Sequence, residues 1–269
     1  MHRIDREARE RKRVVDLHAH VLPGLDDGPK TWEDAEAVWR QAVQDGTDVV
    51  ISVAHANDHH FDVPSDRYRH TMAEAQTRIA EAGLALRLVP AMEVRLSPDL
   101  AQGFLSGRYL PIGDSRYICV ELPPNDFPHY TLDVLYQLTL EGLRVLVIHP
   151  ERNRGIRRRP ELAERLMRME ILGVASAGSL LGQFGPEVES ASWELIERGL
   201  IQSVASDGHS VVKRPVRLAP VVEILTRRYG EDEAHWMMEE VPSLVLQGRP
   251  VELAPRKRQG WHRWLLARR

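Results

Sequence analysis

An α/β barrel-like fold is what this sequence predicts, and three observations predict it. Short β-branched runs alternate with longer segments of helical periodicity, the runs are apolar nearly end to end, and several of the intervening helices stop at a glycine. Apolar runs of this kind suit strands buried on both faces, as in a parallel sheet covered by helices. At 269 residues the chain has the length of one large barrel domain. No linker rich in Pro, Gly or Ser divides it, and no repeat of roughly 20–50 residues runs through it beyond the alternation itself.

Taken in order, the strand runs are "RVVDLHAH", "DVVISVAH", "LRLVPAMEV", "RYICVEL", "RVLVIHP", "GVASAG" and "IQSVASDGH". Between them, "TWEDAEAVWRQAVQDG", "SDRYRHTMAEAQTRIAEAG", "YTLDVLYQLTLEG" and "RPELAERLMRMEILG" read as helices, with Gly46, Gly83, Gly142 and Gly173 in the capping position that a left-handed residue favours.

Composition narrows the function. Hydrophobic residues make up 43% and charged residues 28%, an ordinary globular balance, and the net charge of −3 gives no whole-molecule attraction to nucleic acid. The single cysteine, Cys119, excludes an intramolecular disulfide. No apolar stretch reaches the length of a spanning helix, and the charged start "MHRIDREARERKR" lacks the apolar centre of a signal peptide, so a cytoplasmic location is the expectation.

The chemistry lies at the strand ends. His18 and His20, His55, Glu93, Glu121, His149, and then Asp207 and His209 close six of the seven runs; only the sixth lacks such a residue. In parallel α/β folds the carboxyl ends of the strands meet on one face, so these side chains become neighbours. His18 and His20, like Asp207 and His209, are two residues apart and point to one side of an extended backbone. A lone histidine is more often a hydrogen-bonded or solvated side chain than a ligand, and His59, His60 and His70 stay in that class. Glu93 and Glu121 are harder to explain away, because a carboxylate inside an apolar run must be paired or bound to a cation. Asp26 and Asp27 precede Gly28, and an Asp-Gly turn is their bland explanation. Imidazoles and carboxylates without thiolates suit Zn, Mn or Fe, and there are more of them than one ion takes, so a multinuclear centre for phosphate ester hydrolysis is implied. Arg152 in "HPERN" and Arg214, seven residues after Asp207, are placed to fork phosphate oxygens; surface ion pairs are their alternative.

"DLHAHVLPGLDDGPKTWEDA", "AMEV", "VIHPERN", "SAGSLLGQFG" and "ASDGH", in this order, resemble the polymerase and histidinol phosphatase (PHP) superfamily. Within it the sequence is similar to the bacterial protein-tyrosine phosphatases of the CpsB and YwqE type, which regulate capsular polysaccharide. The resemblance covers residues 14–253 and implies a distorted (β/α)7 barrel with three divalent ions, manganese foremost, with iron, zinc or magnesium as alternatives. By that likeness His18, His20, Glu93 and Asp207 hold one ion. Glu93 bridges to a second on Glu121 and His149, and Asp27, His55 and His209 hold a third. The likeness also assigns Arg152, and less directly Arg214, to the phosphate. The implied substrate is phosphotyrosine on a bacterial tyrosine kinase that governs capsule or exopolysaccharide synthesis. The chain departs from its relatives after His55, where "VAHANDHH" replaces their usual Thr-Pro-His-His. The phosphatase loop of Cys and Arg six residues apart is absent, since Asn125 stands six residues after Cys119, so a phosphatase here works through metal-activated water. Other readings on the same site are a small-molecule phosphoesterase, a nuclease, and a catalytically silent module that binds a kinase.

Phe61, Phe127 and Tyr130 fall on loops that can rim the site, with packing as their alternative. The sequence further predicts a charged extension over residues 1–13 and a basic tail over residues 254–269. In that tail Lys and Arg are interleaved with Trp261, Trp264, Leu265 and Leu266, a pattern that suits a helix lying on an anionic membrane surface and would bring the chain to the inner face of the membrane; a disordered tail or a helix packed on the barrel is the alternative.

Overall fold

In the computed structural model the described residues are 14–253; the charged extension and the basic tail lie outside them. The strands are β1 (Val14–Ala19), β2 (Thr47–Ser52), β3 (His55–Ala56), β4 (Arg87–Pro90), β5 (Glu93–Arg95), β6 (Tyr117–Glu121), β7 (Arg144–Ile148), β8 (Leu172–Ser176) and β9 (Ser203–Ala205). Every pairing is parallel. The second and third runs each break in two, which places β1, β2 and β4 in one sheet and β3, β5, β6, β7, β8 and β9 in another.

The break has a local cause. Tyr68, on the helix Ser65–Glu81, is fully buried, and its hydroxyl donates to Ser52 O at 2.6 Å while accepting from Ala91 N at 3.3 Å. Backbone bonds from Ala91 N to Ser52 O (3.1 Å) and Glu93 N to Ala54 O (3.0 Å) carry the chains across the gap. On the far side, Asp207 N donates to His18 O at 2.9 Å and His20 N to Gly208 O at 2.8 Å, joining β1 to the segment after β9 without a full ladder. The result is the expected distorted barrel.

Two cores pack against the two faces of the strands. The outer one joins strand residues such as Val50, Ile118 and Val147 to the helices. The helix Trp32–Asp45, started by a Thr31/Asp34 capping box, contributes Ala35, Val38, Trp39 and Ala42, and the helix Ser65–Glu81 contributes Tyr68, Met72, Ala75 and Ile79. These spacings are those of one buried helical face. The inner core holds Val15, Leu17, Ile51, Val53, Val89, Ala91, Cys119, Leu146, Ile148, Val174 and Ala205, closed by Val241 and Val245 of the helix Val241–Leu246. Inner and outer residues alternate, as the period of a strand requires.

Gly46, Gly83 and Gly142 follow their helices with φ of 95°, 61° and 72°. Gly173 corrects the reading: the helix of its segment ends at Met167, and Gly173 lies within β8. A Cβ there would come within 2.4 Å of Leu200 O, so this glycine serves a close backbone approach.

Candidate metal centre

The alternation that fills the inner core also delivers the polar residues. Ile51 and Val53 are followed two residues on by His55, Val89 and Ala91 by Glu93, Cys119 by Glu121, and Ala205 by Asp207. Each continues the inward face past the end of the apolar column, and the strands bring them together. In β1 the register shifts between Asp16 and Ala19, and His18 and His20 reach the same place from there.

Glu93 is the hub. Its Oε2 lies 3.1 Å from His18 Nε2, 3.0 Å from His20 Nε2 and 3.5 Å from His55 Nδ1, and its Oε1 lies 3.1 Å from His149 Nε2. Glu121 adds an oxygen 3.7 Å from His149 Nε2 and another 3.9 Å from His55 Nδ1. Asp27 Oδ1 stands 3.2 Å from His209 Nε2 and 3.6 Å from His55 Nε2. Asp207 Oδ1 stands 3.9 Å from His18 Nε2 and 4.0 Å from His209 Nδ1. Donor atoms converge within 4.8 Å in three groups: His20, Asp27, His55 and His209; His18, His20 and Asp207; His55, Glu93 and Glu121. All the residues expected at the centre are therefore neighbours, and His20 and His55 each stand in two groups.

His149 and Asp207 both have left-handed backbones, with φ of 37° and 53°. Such residues cost about 1–3 kcal/mol and persist where surrounding structure holds them. His149 N donates to Val174 O at 2.7 Å and Asp207 N to His18 O at 2.9 Å.

The electrostatics are set by burial and by the pairing of imidazoles with carboxylates. Burial alone would raise the Glu93 carboxyl, but His18, His55 and His149 hold it well below the usual range. Burial alone would lower His20, yet Asp26 and Glu93 pull it up to about 10. His18 and His55 are raised in the same way, chiefly by Glu93 against burial. Burial and the charge of Glu93 push Glu121 up to about 7, whereas burial and Arg152 push His149 down to about 4. Against burial, Arg214 and the neighbouring histidines hold Asp207 below its ordinary value.

The donor set fits divalent ions. Among the described residues, the buried His18 Nδ1 has no hydrogen-bond partner, and His18 Nε2 and His55 Nδ1 have a Glu93 oxygen at 3.1 and 3.5 Å but make no hydrogen bond to it. Buried polar atoms left unpaired are expensive, and imidazole nitrogens with carboxylate oxygens are the donors that manganese, iron and zinc accept.

Both arginines border the cluster. Arg152 Nη1 lies 3.1 Å and Arg214 Nη2 2.5 Å from Asp207 Oδ2, and Arg214 Nη1 lies 3.7 Å from Asp27 Oδ2.

Several participants escaped the sequence reading. Asp26 does make the turn, its Oδ1 accepting from Gly28 N at 3.0 Å, but its Oδ2 also takes His20 Nδ1 at 2.8 Å and His55 N at 3.1 Å. A Cβ on Gly28 would meet His20 O at 2.9 Å, so the turn can close only over a glycine. Asp16 is buried beneath His18, accepts from Ser206 N at 2.9 Å, and is pushed up by burial to about 6. Arg95 pairs with Asp58 and, at 3.0 Å, with Glu121. Of the aromatic candidates, Phe61 stacks on His55 with centroids 5.8 Å apart and planes 13° apart. Phe127 and Tyr130 do not rim the site; Phe127 is buried in the outer core and Tyr130 packs against it. His59, His60 and His70 are exposed. Cys119 is wholly buried and burial drives its thiol up, which leaves it no nucleophilic part.

A parallel barrel with clustered imidazoles and carboxylates at its strand ends, edged by two arginines, has the make-up of a metal-dependent hydrolase. The family described as "Capsular polysaccharide synthesis, CpsB/CapC" matches residues 14–247, and the chain belongs to that family. It is 30% identical over 242 residues to the tyrosine-protein phosphatase YwqE of Bacillus subtilis, spanning 90% of this chain and 95% of that one. It is also 30% identical to a putative tyrosine-protein phosphatase CapC of Staphylococcus aureus, over 88% of this chain and 91% of that one. A crystal structure from work on YwqE and on CpsB of Streptococcus pneumoniae, described as unique metal-dependent tyrosine phosphatases, superposes with a TM-score of 0.84 at 29% identity, covering 88% of this chain and 96% of that one. An organophosphorus hydrolase of Deinococcus radiodurans, at 13% identity and a TM-score of 0.52 over 87% of this chain and 92% of that one, shares the fold.

Proposed function

We propose that this chain is a metal-dependent protein-tyrosine phosphatase whose substrate is a phosphotyrosine of a bacterial tyrosine kinase governing capsule or exopolysaccharide synthesis. The observation that carries this reading is the Glu93 hub: one buried carboxylate touched by four imidazoles, with Arg152 and Arg214 meeting at Asp207 on its edge. Support for the substrate comes from the relatives' tyrosine phosphatase names.

His18, His20, Asp27, His55, Glu93, Glu121, His149, Asp207 and His209 would hold the ions, three in number and manganese foremost by the family resemblance. Divalent ions bound there supply a water of lowered pKa and charge stabilisation for the transferring phosphoryl group. The protein does the rest. Asp26 fixes the His20 ring through Nδ1, leaving Nε2 directed at Glu93. Arg152 and Arg214 present forked N–H donors to the phosphoryl oxygens, and Asp207 holds both in place. Phe61, flat against His55, gives the rim one aromatic surface for a phenyl ester.

No helix among the described residues is long and apolar enough to cross a membrane; contact with a membrane surface through the basic tail is part of the proposal. The test is turnover of a phosphotyrosine peptide by metal-stripped chain with manganese restored, beside histidinol phosphate and DNA. Manganese-dependent release from the peptide alone is expected; release from either of the others alone would replace this reading with that activity.

A further inference from the structure

The segment "SAGSLLGQFG", residues 176–185, has no part in the chemistry above, yet it enters the same site. After β8 it makes the short helix Ala177–Leu180 and then a tight loop, in which Gln183 N donates to Gly178 O at 2.9 Å and Gly185 N to Gly182 O at 3.1 Å. Gly182 and Gly185 turn the chain with φ of 75° and 88°. Gly178 makes room: a Cβ there would lie 2.6 Å from Gln183 Oε1 and 3.0 Å from Phe184 Cε2. Three glycines thus deliver one aromatic ring. That ring lies 4.5 Å from the Arg152 guanidinium carbon and 5.9 Å from that of Arg214. It also lines a cavity of about 110 Å³ with Leu181, Pro215, Asp207 and Arg214.

Two guanidiniums close enough to share one carboxylate repel each other; Arg214 is held also by Asp27 Oδ2 at 3.7 Å and His209 Nε2 at 3.1 Å, whereas the Arg152 guanidinium has its Asp207 contact to turn about. A ring face near both cations restrains them from a second element, because its quadrupole attracts positive charge. We infer that Phe184 is a positioning residue for the arginine pair: it holds Arg152 and Arg214 as a preformed fork at the edge of the centre. The inference rests on the assignment of those arginines to the phosphate in the proposed function.

The test uses the full manganese-loaded chain, with inorganic phosphate as the calorimetric probe and a phosphotyrosine peptide as substrate. Phe184→Leu weakens phosphate binding and lowers kcat/KM by about three- to tenfold, the size of a cation–π contact, with manganese content unchanged. Phe184→Tyr restores both. In a chain with Arg152→Ala and Arg214→Ala together, Phe184→Leu has no further effect. The inference is overturned if Phe184→Leu binds phosphate as the parent does, or weakens it equally with and without the arginines. If the double arginine variant itself binds and turns over like the parent, the arginine assignment fails, and that outcome is distinct because no Phe184 variant is involved.

Discussion

Asp26→Ala removes a carboxylate that is not itself an expected ligand yet holds two of them, His20 and His55. Its loss leaves His20 Nδ1 without the acceptor at 2.8 Å, and two backbone N–H groups, on Gly28 and His55, without theirs at 3.0 and 3.1 Å. A buried donor left unpaired costs about 1–3 kcal/mol. The two backbone donors cannot turn away as the His20 ring can, and, offset in part because a buried carboxylate no longer has to be desolvated, they give a loss of folding stability of roughly 2–4 kcal/mol. The effect on metal affinity has a different origin. Without Asp26 the His20 ring is free to turn and to change tautomer, and removal of such an orienting partner typically lowers affinity or activity about 10- to 100-fold. Asp26→Asn separates the two effects. Its amide oxygen can still accept from one of the two backbone N–H groups, so part of the stability is kept, but its neutral side chain does not restore the charge that holds His20 in place. The assays are chemical denaturation of the metal-free chain and manganese titration of each variant. An Asp26→Ala chain that binds manganese within about twofold of the parent would refute this reasoning.

Arg152→Lys should lower kcat/KM for a phosphotyrosine peptide by about 10- to 100-fold with manganese content unchanged, because an ammonium cannot make the planar fork; equal activity would show that Arg152 does not touch the phosphate. Gly173→Ala drives a Cβ toward Leu200 O at 2.4 Å and should destabilise the chain by about 1–3 kcal/mol, read by denaturation, with turnover per folded molecule preserved. His20, raised to about 10 by Asp26 and Glu93 against burial, carries a proton near neutral pH in the metal-free chain. A ligand imidazole must be neutral, so loading should release protons and weaken as pH falls; calorimetry in buffers of different ionisation enthalpy measures this, and a loading heat independent of buffer would contradict it.

Much of this was legible because a single period governs both core and site. Ile51, Val53 and His55 form one inward column, as do Val89, Ala91 and Glu93; an apolar run ending in a histidine or carboxylate announces the packed interior and the polar mouth at once. The same signal stands at Asp16, a carboxylate inside "VVDLHAH", but the two histidines that follow it account for the polar end of that run without it. Asp26 was hidden by a true but incomplete explanation, since it makes the Asp-Gly turn and orients two histidines together. Other features have no local signature. Tyr68 splits two strands from a helix that merely looks amphipathic, and Arg95 meets Asp58 and Glu121 only after the strands pair. Gly173 looked like a cap because it ends a periodic segment; the strand begins one residue before it. For Phe127 and Tyr130 a loop position allowed either a rim or packing, and the outer core takes them up.

The central claim is that these side chains form one metal-dependent hydrolytic centre. Measuring manganese content and phosphotyrosine peptide turnover together, in the parent and in Asp207→Ala, tests it most directly. The account predicts that the parent loaded with manganese is active, that chelation abolishes its turnover, and that Asp207→Ala loses bound metal and activity together. An Asp207→Ala chain with metal content and turnover both unchanged would contradict it.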